Sequence, residues 1–260
     1  MLQVKPPDVA RKDHLGTLAK GLQLLEIFDS RVTRLTIADA ARLTGMSRAA
    51  ARRCLLTLCA SGYVQTDGKW FWLGHGSLRL AYGYVSSTRL PRLIQPMLDT
   101  LCERNHHSAS LAVLFDGAAV IAARATALRT MRVGLVVGSK LPLHCSAAGR
   151  ALLAALPAAQ ADALLQQARR TAYTASTVTG LPELQAVLAA CRADGYALCD
   201  EEIEPGVRSI AVPLWDGQER PLAALSISTR ADRMTAGEMV QAYLPTLRGH
   251  QAWVRARVAG

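Results

Sequence analysis

The sequence predicts an α+β chain in two parts, a winged helix-turn-helix in front and an antiparallel sheet flanked by helices behind. Three observations carry that reading. Residues 17–60 show the apolar spacing of three short helices, and an Asp67-Gly68 hairpin signal follows them. From residue 91 onward, strand and helix patterns alternate without a GxGxxG or P-loop. The charge is also divided: residues 1–90 hold 13 Lys+Arg against 6 Asp+Glu, a net of +7, whereas residues 91–260 hold 17 against 14, a net of +3. A basic front on a near-neutral body points to a polyanion-binding module at the N-terminus.

Residues 1–14 are polar, contain Pro6 and Pro7, and read as a loose arm. The first helix starts near Thr17, with Leu18, Leu22, Leu25 and Phe28 at helical spacing. In the second, Thr36 is the cap and Ile37, Ala40, Ala41 and Leu43 face inward; Gly45 suits the tight turn that follows. Ser47 caps the third helix, which buries Ala51, Cys54, Leu55 and Leu58. At 100° per residue, Ala49, Arg52 and Arg53 fall on the opposite arc, with Arg48 at its edge. Helix, turn, helix and hairpin in this order make residues 15–73 a winged helix-turn-helix whose third helix presents its arginines to a duplex. Its first turns would enter the major groove, where arginine bonds guanine bidentately. The DNA-facing set is Thr36, Ser47, Arg48, Ala49, Arg52 and Arg53, with Lys20 and Lys69 holding phosphates.

Residues 74–90 read as a linker helix with Leu78, Ala81, Tyr82 and Val85 on one side, stopped by Pro91. That apolar side wants a partner, such as the same helix of a second subunit. Residues 91–260 then give a helix ending at His106-His107, which reads as a solvated turn. A hairpin turning at Asp116-Gly117 follows, with a strand over 130–137, helices at 146–156 and 181–195, and strands at 196–200, 207–215 and 222–228. The closing helix is interrupted near Pro245.

The 260 residues suffice for one large domain or two small ones, and half are hydrophobic, enough for a core. No apolar run is long enough for a bilayer and no signal-peptide block opens the chain, so it reads as cytoplasmic. The six cysteines form no CxxC pair and lack paired histidine spacing. No metal or cofactor site is expected, and these thiols read as small buried groups. The alternative function is a thiol-dependent enzyme or redox sensor using Cys145. His144 beside it does not make a dyad, because neighbours on a strand point apart.

The stretches "LTGMSRAAARRCLLTLCASGYV", "LRLAYGYVSS", "LPLHCSAAGRALLAALP" and "GYALCDEEIEPGVRSIAVPLWD" together resemble the IclR family of bacterial transcription regulators, from Leu15 to about Val258. They look closest to the branch that controls aromatic-acid breakdown through protocatechuate, 4-hydroxybenzoate and β-ketoadipate. The resemblance implies a GAF-like effector-binding and oligomerisation domain at 91–260. It also implies a homodimer that can pair into a tetramer on a palindromic DNA operator, responding to a small aromatic or dicarboxylic acid.

By that resemblance the effector pocket lies in the second domain. Ser146 opens a helix whose first N–H groups, those of Ala147 and Ala148, could hold a carboxylate. On "VRSIAVPL", Arg208 and Ser209 face opposite ways; similarity to the family selects Ser209, leaving Arg208 to pair with an acid of "DEEIE". Ser226 and Ser228 share a strand face and need polar partners. The family also places pocket residues at Cys199 and Asp200, and Met131 would supply an apolar wall.

Overall fold

The computed structural model describes residues 13–126 and 134–258. The chain divides into two compact units at Thr88–Arg89.

The first unit opens with α1 (Gly16–Glu26), α2 (Ile37–Thr44) and α3 (Arg48–Ala60). Leu24, Leu35, Ala40, Ala51, Leu55, Val64 and Phe71 make its small core. Leu18, Leu22 and Leu43, at helical spacing in the sequence, stay exposed. Thr36 closes a capping box with Asp39, and Gly45 ends α2 at φ 70° in the left-handed region, where a side chain would be strained. Ser47 caps α3, accepting from the N–H of Ala50 at 3.2 Å. Strands β1 (Val64–Thr66) and β2 (Phe71–Leu73) form the wing, pairing Thr66 with Phe71. The Asp67-Gly68 signal marks its turn, a four-residue loop in which Asp67 Oδ1 accepts from the N–H groups of Lys69 and Trp70.

Helix α4 (Gly76–Ser87) has no buried residue, and Leu78, Leu80 and Tyr82 are each more than half exposed. It ends at Thr88, in extended conformation, and not at Pro91. Pro91 instead lies in the first turn of α5 (Arg89–Asn105), where a missing N–H leaves no helix bond unmade.

The second unit is built on a six-stranded antiparallel sheet in the order β5-β4-β3-β8-β7-β6. Its strands are β3 (Ser108–Phe115), β4 (Ala118–Ala125), β5 (Lys140–Leu141), β6 (Ala197–Asp200), β7 (Val207–Trp215) and β8 (Pro221–Arg230). Asp116 and Gly117 both take positive φ, the two-residue turn that matches strand twist. The described part of the expected 130–137 strand, residues 134–137, is not strand, and the rest lies outside the described residues.

One sheet face packs on α5 and α9 (Ala236–Arg257) through Leu111, Ile210, Val212, Leu225 and Ile227. Helix α9 runs on through Pro245 without a break. On this face His107 is buried edge-on to Tyr243, with ring centroids 5.6 Å apart, so the expected solvated turn includes a core histidine. The other face packs on α6 (Ala147–Ala154), with α7 (Ala158–Gln167) and α8 (Leu181–Asp194) behind it. The serines read from the sequence lie on this second face.

Candidate nucleic-acid interface and effector site

On α3, Arg48, Ala49, Arg52 and Arg53 are exposed, whereas Ala51, Cys54 and Leu55 are buried. Lys20 on α1 and Lys69 in the wing turn are also exposed. Arg53 borders a groove of about 400 Å³ that Leu18, Leu22, Leu58 and Leu80 share, so it sits nearer that groove than Arg52 does. Thr36, also in the expected DNA-facing set, is partly exposed and caps α2. Its hydroxyl accepts from Asp39 N–H at 3.2 Å and donates to Asp39 Oδ2 at 2.7 Å, which anchors the start of α2. Sequence reading missed Arg34, an exposed cation whose guanidinium lies 4.7 Å from the centre of the Trp72 ring. Trp72 in turn donates Nε1–H to Gln65 Oε1 at 2.9 Å. The signal lay in Trp72 facing Gln65 across the wing, which fixes the ring for Arg34 to cover.

In the second unit, Ser146 Oγ caps α6. It accepts from Gly149 N–H at 3.0 Å and donates to the Pro142 carbonyl at 2.6 Å. The N–H groups of Ala147 and Ala148 are then left without intrahelical acceptors. Ser146, Ala147 and Ala148 border a small cavity, as do Cys199, Ser209, Ser226 and Ser228 from the sheet. The register explains the meeting: Cys199 pairs with Ser209 and Ser209 with Ser228, so their side chains share one face. Ser209 and Ser228 hydroxyls lie 3.0 Å apart. Cys145, Leu135 and Leu141 add apolar wall, Glu202 and Ile203 close it from the β6–β7 loop, and Val207 closes it from the start of β7. The cavity measures about 30 Å³, room for only a few waters. An aromatic acid entering it must push a wall aside.

Two expected positions are not in this set. Met131 lies outside the described residues. Asp200 is one residue from Cys199 on a strand, and so points to the other side. Its carboxylate receives Arg208 Nε–H at 2.8 Å and Nη2–H at 2.9 Å. Arg208 also donates to the carbonyls of Ala231 and Met234, a structural role.

Sequence reading also missed the buried pair behind the cavity. Arg150 of α6 binds Glu202 bidentately, at 2.5 and 2.7 Å, and donates Nε–H to the His144 carbonyl at 2.7 Å. Both side chains are almost wholly buried, so each charge needs the other. Thr174 and Thr177 hydroxyls donate to the carbonyls of Glu201 and Glu202, at 2.7 and 2.6 Å, and tether the same loop. His144 Nε2 lies 3.1 Å from the Thr171 carbonyl, and burial holds its pKa below the ordinary value, so the neutral ring donates there. Cys145 is fully buried; that burial, with a smaller push from Glu202, raises its pKa to about 12. A thiol so placed carries no thiolate for nucleophilic or redox chemistry near neutral pH, which removes the Cys145 alternative.

Family models agree with both units. The model described as the IclR helix-turn-helix domain matches residues 17–68, and that described as the bacterial transcriptional regulator IclR C-terminal domain matches residues 82–253. The chain belongs to the IclR family. It is a transcriptional regulator with a DNA-binding and an effector-binding domain, and not an enzyme. Among IclR-family relatives, it is 40% identical to the Pca regulon regulatory protein of Pseudomonas putida, over 90% of this chain and 81% of that protein. It is 35% identical to the p-hydroxybenzoate hydroxylase transcriptional activator of Acinetobacter baylyi, over 93% of this chain and 91% of that one. The structure of the PobR inducer-binding domain from Acinetobacter, a double mutant in complex with 3-hydroxybenzoic acid, superimposes with a TM-score of 0.59 at 29% identity. That match covers 65% of this chain and 98% of that domain. Among the described residues no helix is long and apolar enough to cross a membrane.

Proposed function

We propose that this IclR-type regulator controls genes for the breakdown of aromatic acids through protocatechuate or 4-hydroxybenzoate and the β-ketoadipate route, and that it acts in the cytoplasm. The observation that carries this reading is the cavity at the start of α6. There the helix N–H groups of Ala147 and Ala148 and the hydroxyls of Ser209, Ser226 and Ser228 converge between apolar walls. A carboxylate fits the helix start, and a ring or short carbon chain fits the walls. The names of the relatives in Pseudomonas and Acinetobacter favour the same class of acid.

Residues 15–73 serve as the DNA-binding domain, 74–90 as the linker and 91–260 as the effector and assembly domain. Arg48, Arg52 and Arg53 read bases, and Lys20, Lys69 and Arg34 hold phosphates. A homodimer covers the open apolar side of α4 and places two α3 helices on half-sites one helical turn, about 34 Å, apart or a multiple of that; pairs of dimers form a tetramer. Sedimentation of the full chain tests the assembly, and a monomer at micromolar concentration would refute it. Thermal-shift titration against 4-hydroxybenzoate, protocatechuate and their ring-cleavage acids tests the sensing role. At least one acid must raise the melting temperature, because a ligand that binds the native state stabilises it.

A further inference from the structure

The hydroxyl-bearing face of the sheet is wider than the cavity. By register, Ser108 pairs with Ser228, and Ser228 with Ser209; one step along, Ser110 pairs with Ser226. Ser110 also pairs with Arg124 on β4. Paired residues share a face, so a polar band runs from the start of α6 across β7, β8 and β3 and ends on an arginine. Arg124 is half-buried and leans over β3, donating Nη1–H to Ser110 Oγ at 2.6 Å and Nε–H to Thr126 Oγ1 at 3.1 Å. Both acceptors are neutral. Among the described residues no carboxylate pairs with it, and residues 127–133, Ala-Leu-Arg-Thr-Met-Arg-Val, contain no acid.

The two fully buried arginines of this unit each hold a carboxylate, Arg150 taking Glu202 and Arg208 taking Asp200; half-buried Arg170 donates to the carbonyls of Leu165 and Thr179, whereas half-buried Arg124 has only side-chain hydroxyls. A guanidinium partly withdrawn from water beside neutral hydroxyls keeps room for an anion that would offset that partial desolvation. Its planar fork suits a carboxylate bidentately. Arg124 stands two strands from Ser226, which borders the cavity, or roughly 10 Å between backbones, and its side chain already closes part of that gap.

We propose that Arg124 is a second anion-binding residue of the effector site, so that the preferred effector is a dianion, an acid with a carboxylate at each end. This rests on the reading of the α6 cavity as the effector site. One carboxylate sits on the N–H groups of Ala147 and Ala148. The carbon skeleton lies along the Ser226 side, and the far carboxylate meets Arg124 over Ser110. A monoacid of equal length fills the first place and leaves the guanidinium unanswered.

Calorimetric titration of the full chain with hexanoate, adipate and 4-hydroxybenzoate separates the two readings. Hexanoate and adipate share six carbons and differ in one terminal carboxylate. Adipate is expected to bind about tenfold or more tightly than hexanoate, the size of a charge-assisted pair. Arg124→Met should bring the two acids within about twofold while leaving hexanoate affinity unchanged. Should that variant fail to fold, Arg124→Gln, which keeps amide hydrogen bonding without the charge, must lose the same advantage. Adipate no tighter than hexanoate in the parent protein, or an advantage that survives either folded variant, overturns the role of Arg124. If 4-hydroxybenzoate or hexanoate binds in that case, the α6 site itself stands. If none of the three acids binds, the α6 reading falls and the inference falls with it.

Discussion

Arg52 and Arg53 project from the exposed arc of α3 while Ala51, Cys54 and Leu55 hold the helix to its unit. Removing both guanidiniums therefore leaves the core untouched. If each contacts a base, it contributes about 1–3 kcal/mol, so Arg52→Ala/Arg53→Ala should weaken specific DNA binding roughly thirtyfold or more. The thermal shift produced by an acid effector should be unchanged in that variant, and fluorescence anisotropy alongside calorimetry checks both. Cys145 gives a second residue-scale prediction. Burial favours its neutral thiol up to about 12, whereas the unfolded chain ionises near its ordinary value of 9. The fold is thus favoured below about 9 and loses this contribution as pH rises from 9 toward 12. Alkylation by iodoacetamide at pH 8, read by mass spectrometry, should spare Cys145 in the native protein and label it in urea; rapid native labelling would contradict this burial. Strand parity separates Ser209 from Arg208 in the sequence; the same rule separates Cys199 from Asp200, and only Cys199 borders the cavity. The Arg150–Glu202 pair was not legible at all, because its members are 52 residues apart and only the fold brings them together.

Helix α6 is the element on which the site is built, and its position depends on Gly149. A Cβ there would stand 2.6 Å from Leu143 Cα and 2.8 Å from the Leu143 carbonyl oxygen, both backbone atoms that have no rotamer to yield. Gly149→Ala should destabilise the protein by about 1–3 kcal/mol, the size of a core overpacking. Because the start of α6 must shift, acid affinity should fall as well, and urea unfolding with and without ligand measures both. Elements with strong local signals were legible: the Thr36 and Ser47 caps, and the Asp116-Gly117 turn that joins β3 to β4. Elements that depend on context were not. Pro91 reads as a stop because proline breaks helix interiors, yet it sits in a first turn, where it is tolerated. Helix α7 went unread because its inward side is only Ala161 and Leu165 in an alanine-rich stretch. The β6–β7 loop, tethered by Thr174 and Thr177, closes a cavity too small for a ring; no sequence pattern shows that it must give way.

At the scale of the whole molecule, the chain joins a basic DNA-binding unit to a near-neutral unit that holds a polar cavity. An effector shifts DNA binding only by binding one state of the protein better than another, and the coupling is reciprocal. Typical couplings correspond to about 5–150-fold. The charge division and the exposed arginines of α3 were visible in the sequence; the proposed acid response follows from putting them in one chain with the candidate α6 site. The most direct measurement is the affinity of the full chain for duplex DNA that it selects from a random pool, taken across a titration of an acid it binds by calorimetry. The account predicts that saturating acid changes that affinity at least about fivefold, and that Arg52→Ala/Arg53→Ala weakens binding of the selected duplex roughly thirtyfold or more without affecting the acid. An affinity for the selected duplex that stays the same with and without bound acid would contradict it.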